Sequence, residues 1–267
     1  MSADGWFSPR RAAHLFVAAN IPVLGLDIVV AHMANDFADR IEWAPIVFSA
    51  VATPLLIPGA LGSRRPFFAV VDRVIAVLSM LVGAAGMVFH LESGFFEVQT
   101  MHNLVYSAPF VAPLSYVGIG LLLWLVRSEE ADTPAFGRWV IFLALGGFVG
   151  NFGLALLDHA QNGFFYATEW IPVVAAAFAI TFLGMMLLRP GRPMLVACAW
   201  VMALQVVVGV VGFRMHMSAD LARTAAPLFD RFVFGAPAFA PLLFANIAIL
   251  GAIGLWASRP AIRAAAQ

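Results

Sequence analysis

Apolar runs of about 20 residues recur along the whole chain, and they constrain its fold more than any other feature. The hydrocarbon core of a bilayer is about 30 Å thick, so a helix of about 20 apolar residues crosses it. Hydrophobic residues fill 62% of the 267 positions and charged residues only 11%, where soluble domains usually carry about 25%. We therefore predict an all-α polytopic membrane protein with eight transmembrane helices at 12–32, 44–62, 70–90, 104–126, 137–158, 170–189, 193–215 and 236–257.

Arginine predicts the orientation of these helices. All 15 basic residues are arginines; eleven fall at one end of the predicted spans, and four fall at the other, namely Arg40, Arg214, Arg223 and Arg231. Under the positive-inside rule both termini are then cytoplasmic, as in a multi-pass protein of the bacterial inner membrane. The formal net charge is zero, which favours the lipid bilayer and not nucleic acid as a partner.

Two halves of the sequence carry the same polar phrase. Residues 31–45 read AHMANDFADRIEWAP and residues 158–172 read DHAQNGFFYATEWIP, so His32 and His159 match at an offset of 127 residues. Two further pairs keep nearly this offset: LVGAAGMVFH with VVGVVGFRMH, and SAPFVAPL with GAPAFAPL. Because each half holds an even number of spans, we predict two parallel four-helix repeats, 1–130 and 131–267, in one membrane domain.

Histidines gather at the predicted outer, periplasmic ends of the spans. Imidazole is the commonest metal ligand, and cofactor sites in helix bundles are built from side chains on facing helices. The single cysteine, Cys198, excludes thiolate clusters and internal disulfides. Carboxylates accompany the histidines, and Asp27, Glu42 and Glu169 are the candidates for a catalytic role. The predicted ligands of a shared metal or haem centre are His32, His90, His102, His159 and His216.

Glycines precede two of these histidines at helical spacing. Gly83 and Gly86 lie seven and four residues before His90, and Gly209 and Gly212 stand likewise before His216. A helix face without side chains leaves room for a flat cofactor such as bis-histidine haem. Arg214 would pair with a propionate of such a haem.

Each of these residues also has an ordinary structural explanation. The helix dipole favours histidine at a helix C-terminus, and tryptophan belongs to the aromatic belt of a membrane protein. Small residues four apart let membrane helices approach each other closely. Capping explains one histidine, however, and not four in register across a duplication, which favours metal or haem.

One segment resembles a known group of proteins. TMHNLVYSAPFVAPL at 100–114 is similar to the haem-ligating second helix of haem–copper oxidases and nitric oxide reductases, where a histidine opens a span at the outer side. The similarity covers about 15 residues, and the adjacent histidine pair of that group is absent here. Haem A synthases resemble this chain in architecture alone, as eight-span pseudosymmetric proteins with histidine pairs.

These features predict a membrane protein that holds copper, iron or haem at its periplasmic side. It would act as an oxidoreductase, with a periplasmic or membrane redox partner, or as a metal- or haem-handling factor. Two alternatives remain open: a small-solute transporter, suggested by parallel repeats and prolines in the even spans, and an assembly subunit of a membrane complex. The sequence holds no phosphate-binding loop, dinucleotide fingerprint or HExxH helix.

Overall fold

The computed structural model describes residues 8–63, 65–129 and 133–264, and every regular element in these ranges is helical. Two 3₁₀ turns, Arg40–Glu42 and Ala167–Glu169, each lead directly into a helix. The α-helices are α1 Pro9–Met33, α2 Trp43–Ala60, α3 Pro66–Glu92, α4 Met101–Tyr106, α5 Leu114–Ser128, α6 Pro134–Gln161, α7 Trp170–Leu188, α8 Arg192–Ala222, α9 Leu228–Val233 and α10 Leu242–Ala264.

Proline and hydroxyl side chains explain where several helices begin. The first residues of α1, α3 and α6 are Pro9, Pro66 and Pro134, and proline suits this position because the first N–H groups of a helix have no intrahelical partner. The Ser8 and Thr133 hydroxyls accept hydrogen bonds from the backbone N–H three residues later, which caps α1 and α6.

Seven helices in the described ranges are long and apolar enough to cross a membrane, which makes this a membrane-embedded helical protein. The prediction of one continuous helix over 104–126 is wrong. The chain there forms α4, an irregular segment at 107–113 and then α5, which has 15 residues. Pro109 and Pro113 account for the break, because a proline ring donates no hydrogen bond and clashes with the preceding turn.

The last predicted span is shortened for the same reason. We predicted a helix from residue 236, whereas α10 begins at Leu242, after Pro237 and Pro241. The two irregular segments, 107–113 and 234–241, thus occupy corresponding positions before the last helix of each half.

Each half of the chain packs as a group of four helices. In the first half α1 packs on α2, α2 on α3, α3 on α5 and α5 on α1. In the second half α6, α7, α8 and α10 repeat this cycle of contacts. Phe148, Leu123 and Leu183 are completely buried in the common core, so the helices are held by close packing.

The first helix of each half also contacts the end of the other half. Helix α1 packs against α9 and α10, and α6 packs against α4 and α5. Asn246 on α10 donates a hydrogen bond to Asn20 on α1 across this boundary. Elsewhere the helices turn apolar side chains such as Val51, Leu81 and Val210 outward, as expected for surfaces that face lipid tails.

A candidate functional site at the histidine-bearing helix ends

The repeated phrase folds into the same helix–turn–helix connection in both halves. His32 and His159 lie in the last turns of α1 and α6. Five residues later, Phe37 and Phe164 have φ angles of 51° and 52°, which are rare for bulky residues. Their backbone N–H groups donate to the His32 and His159 carbonyls at 3.1 and 3.0 Å, so the phrase first of all closes each helix.

Aromatic stacking compensates for this strained backbone. The Phe37 ring stacks on Trp43 with 4.4 Å between ring centroids, and the Phe164 ring stacks on Trp170 at 4.0 Å. Such offset stacks contribute about 0.5–1.5 kcal/mol beyond simple burial. The turn therefore explains why phenylalanine and tryptophan have the same spacing in both phrases.

Asparagine positions a glutamate beside each turn. The Asn35 amide donates to Glu42 Oε1 at 3.1 Å, and the Asn162 amide donates to Glu169 Oε1 at 3.1 Å. The second carboxylate oxygen, Oε2, is buried in both glutamates and has no hydrogen-bond partner among the residues that the structure describes. In the second half it lies 3.9 Å from Nδ1 of His159. Each half thus holds one carboxylate with an unsatisfied oxygen at the histidine level.

The other two histidines bond to the irregular segments. Nδ1 of His90 donates to the Pro109 carbonyl at 3.1 Å, and Nδ1 of His216 donates to the Pro237 carbonyl at 3.0 Å. Each of these carbonyls also accepts a hydrogen bond from the backbone N–H three residues later, at 3.0 and 3.2 Å respectively. The histidines donate a second hydrogen bond to these carbonyls and so tie α3 and α8 to the irregular segments, a structural task that the sequence analysis did not anticipate.

The predicted glycines lie where two helices touch. A Cβ on Gly83 would stand 2.7 Å from the Pro113 carbonyl oxygen, and one on Gly209 would stand 2.9 Å from the Pro241 carbonyl oxygen. Gly86 and Gly212 face the same two prolines at 2.9 and 2.8 Å. The space beside these glycines is filled by α5 and α10, so in this structure they provide close helix contact.

The four histidines are grouped in pairs within each half. The rings of His32 and His90 lie 6.2 Å apart between centroids and are inclined at 67°. In the second half His159 and His216 are within electrostatic range of each other. Among the described residues no group of three or more His, Cys, Asp or Glu is arranged to hold a metal ion, so the single shared centre expected from the sequence is not preformed.

The remaining predicted residues lie apart from these pairs. His102 is exposed on α4, with its ring 4.6 Å from Tyr106. Arg214 is exposed on α8. Asp27 is exposed on α1, within electrostatic range of the Tyr116 hydroxyl, which in turn bonds Ser49 Oγ at 2.6 Å. This polar group has no counterpart in the second half, where Leu154, Phe244 and Ala176 occupy the matching positions.

One cluster of charged residues was missed by the sequence analysis. At the opposite end of the first half, the Arg127 guanidinium is paired with the fully buried Asp72 carboxylate, and His14 Nε2 lies 3.4 Å from Asp72 Oδ2. Gly59 leaves room for all three, since its Cβ would lie within 2.8 Å of each. The signal was present, because Asp72 is an ionisable residue within an apolar span.

The chemistry open to the paired histidines follows from their hydrogen bonds. A carbonyl oxygen only accepts, so Nδ1 of His90 and His216 carries the proton, as does Nδ1 of His32, which bonds the Ile28 carbonyl at 3.0 Å. This leaves Nε2 with its lone pair, the arrangement in which a histidine binds a metal. No protein-family model, no curated protein and no solved structure matches the chain.

Proposed function

We propose that the protein crosses the membrane eight times, as two parallel four-helix repeats with both termini in the cytoplasm. Helix α5 would supply the eighth crossing; its 15 residues span about 22 Å, and the irregular segment before it would complete the crossing inside the protein, where non-helical backbone is tolerated. The matching element order of the halves and the distribution of arginine support this topology. The histidine pairs would then face the periplasm of a bacterial inner membrane.

We propose further that each half binds haem, or an ion such as copper or iron, through its two histidines. The observation that carries this proposal is the geometry of His32 and His90. Two imidazoles on one metal, with metal–nitrogen bonds of about 2 Å, place their ring centres about 6 Å apart, and these rings are 6.2 Å apart. Axial ligation of haem needs only two protein side chains, so it does not require a third ligand.

The surrounding residues would tune such a site. Glu42 and Glu169 each carry a buried oxygen without a hydrogen-bond partner in the described part of the chain, and a carboxylate there would balance the positive charge of a metal. Arg214 is the cation available to a propionate on the second half. His102 would act at the rim and not as an axial ligand, because its ring packs on Tyr106.

A bound metal or haem would supply one-electron chemistry, and the protein would act as a membrane oxidoreductase or as a metal- or haem-handling factor. Asp27 with Tyr116 and Ser49 would handle protons or substrate in the first half alone. We expect the second half to hold its group without such polar neighbours.

Optical spectra and metal analysis of the detergent-purified protein test this proposal. We expect two equivalents of bound group, one of which is lost in His90→Gln and the other in His216→Gln. Glutamine retains an amide donor for the Pro109 or Pro237 carbonyl but is a poor ligand, which separates ligation from folding. His102→Gln is the matched control and should retain both equivalents. A folded, colourless protein that rejects added haem, copper and iron would refute the proposal.

A further inference from the structure

A cavity of ≈ 260 Å³ opens at the end of the second half that lies opposite the histidines. It is enclosed by the first turns of α6 and α8 and the last turns of α7 and α10. Its wall is mainly apolar, while two guanidinium groups and one hydroxyl stand among the lining residues. The lining that matters here consists of Ile141, Met186, Ile262, Arg138, Arg192 and Ser258.

The two cations of this cavity have no anion to neutralise them among the described residues. Arg138 and Arg192 are both exposed, and neither forms a hydrogen bond or an ion pair within the part of the chain that the structure describes. The Ser258 hydroxyl already donates to the Gly254 carbonyl at 2.9 Å, which leaves its lone pairs as acceptors. The cavity therefore offers positive charge beside apolar surface.

In the first half, side chains fill the region that corresponds to this cavity. Ile141 and Met186 match His14 and Gly59 at an offset of 127 residues. In the first half this space holds the Asp72–Arg127 pair, so positive charge there meets a carboxylate of the chain itself. The second half has Cys198 and Leu255 at the positions of that pair, and there Arg138 and Arg192 line an apolar cavity.

We propose that this cavity binds the phosphate headgroup of an anionic phospholipid, with the start of an acyl chain against the apolar wall. Guanidinium forms bidentate, charge-assisted hydrogen bonds to phosphate. Basic pockets between transmembrane helices are typical sites for anionic headgroups. The amino-terminal ends of α6 and α8 point their positive dipole ends to the same place, which favours an anion further.

The apolar lining distinguishes a lipid from free phosphate. A phosphate ion alone would leave the apolar side chains of Ile141, Met186 and Ile262 without apolar contacts on the cavity side. A glycerophospholipid would contact both the arginines and this apolar wall. The end of the bundle concerned is also the end at which most arginines lie, so an anionic leaflet surface would lie nearby.

Lipid retention in nanodiscs tests this inference, using the full-length protein. Native mass spectrometry would compare the wild type with Arg138→Gln/Arg192→Gln in phosphatidylglycerol and in phosphatidylcholine. We expect the double variant to lose retained phosphatidylglycerol at least about tenfold, which corresponds to about 1.4 kcal/mol, and phosphatidylcholine to be retained weakly by both. Arg65→Gln/Arg73→Gln, which removes two exposed arginines from the same end of the first half, is the matched control and should retain lipid like the wild type.

A second variant addresses the apolar wall without changing charge. Ala261 lines the cavity and is only partly buried, so Ala261→Trp should block the acyl chain and lower retention similarly. Equal loss in the control variant would reduce the effect to general surface charge and overturn the inference. Unchanged retention in Arg138→Gln/Arg192→Gln would also overturn the inference, since the two arginines would then make no contribution to lipid binding. If inorganic phosphate displaces the lipid completely, the ligand of this cavity is a phosphate ion and not a phospholipid, and the inference is overturned.

Discussion

The two halves of the molecule are alike at one end and unlike at the other. At the histidine-bearing end both halves have the same Phe–Trp stack, the same Asn–Glu hydrogen bond and the same His–carbonyl bond. At the opposite end the first half has the buried His14 and Asp72 beside the half-buried Arg127, where the second half has Ile141, Cys198 and Leu255.

This difference shows which features the architecture itself requires. A segment broken by proline needs contacts that hold it against the neighbouring helix, and in both halves a histidine from the preceding long helix donates to a carbonyl of that segment. At the bundle ends away from the histidines, the architecture requires only that side chains fill the space between the helices. Charged and apolar side chains both achieve this, because a well-packed apolar cluster can replace a buried ion pair without loss of stability.

The largest expected effect comes from breaking the charged cluster of the first half. Arg127→Leu leaves the Asp72 carboxylate buried with only His14 nearby, so the free energy of unfolding should fall by about 3–5 kcal/mol. In the second half, Cys198→Ala at the position that corresponds to Asp72 should cost about 1 kcal/mol. Surfactant-driven unfolding in detergent micelles would measure both.

Transplanting the second half's residues into the first sharpens this comparison. The variant His14→Ile/Gly59→Met/Asp72→Cys/Arg127→Leu should be more stable than Arg127→Leu alone by about 2 kcal/mol or more, since no charge remains buried. If the transplanted variant is the less stable of the two, packing and not charge decides this end of the bundle.

The next effect concerns the close helix contacts beside the histidines. Gly83→Ala would press a Cβ against the Pro113 carbonyl at 2.7 Å, and Gly209→Ala against the Pro241 carbonyl at 2.9 Å. We expect losses of about 1–3 kcal/mol in both halves. Gly146→Ala and Gly184→Ala are controls, because nothing lies within 4 Å of the added Cβ, and they should be neutral or slightly stabilising. Stable Gly83→Ala and Gly209→Ala variants would mean that this space is free for a cofactor after all.

A smaller effect is expected at the boundary between the halves. Asn20 and Asn246 form a hydrogen bond there, whereas Gly147 and Gly118 occupy the corresponding positions on α6 and α5. Polar contacts between membrane helices contribute about 0.6 kcal/mol on average and at most about 1.7. A double-mutant cycle with Asn20→Ala and Asn246→Ala should return a coupling energy in that range, and a value near zero would remove this bond from the forces that join the halves.

The smallest effect concerns the asparagines that bond Glu42 and Glu169. Asn35→Ala removes one exposed hydrogen bond to a glutamate and should cost no more than about 1 kcal/mol. Asn162→Ala removes the matching bond and also the one that Asn162 Oδ1 accepts from the Phe164 N–H at 3.2 Å, so it should cost slightly more. Their effect on bound metal or haem should be larger than on stability, because Glu42 and Glu169 would lose their orientation. Unequal losses of bound metal or haem in the two halves would contradict the equivalence of their histidine-bearing ends.

Helix positions were predictable because the bilayer thickness and the hydrogen-bonding needs of the backbone are encoded in local hydropathy. Seven of the eight predicted spans have corresponding helices of spanning length. The repeated phrase correctly marked two helix ends, since His32 and His159 lie in the last turns of α1 and α6. The prolines also indicated the breaks before α5 and α10. The spans were predicted from the length of apolar runs, and these runs continue through the breaks.

The partners of the polar side chains could not be predicted in the same way. Hydropathy and periodicity indicate which residues share a helix face, and not which distant residue lies opposite. Asp72 and Arg127 are 55 residues apart, and Asn20 and Asn246 are 226 apart. For the same reason the glycines before His90 suggested cofactor space, although α5 fills it.

The amino-acid sequence by itself determined that this chain forms apolar helices in two similar halves, because hydropathy and the repeated phrase are local properties. The tertiary structure decided that the histidines pair within each half and that a charged cluster closes the first half while a cavity opens in the second. These outcomes depend on how helices that are distant in sequence pack against each other. Burial, charge pairing and close contact arise between helix surfaces, and only the fold determines which surfaces meet.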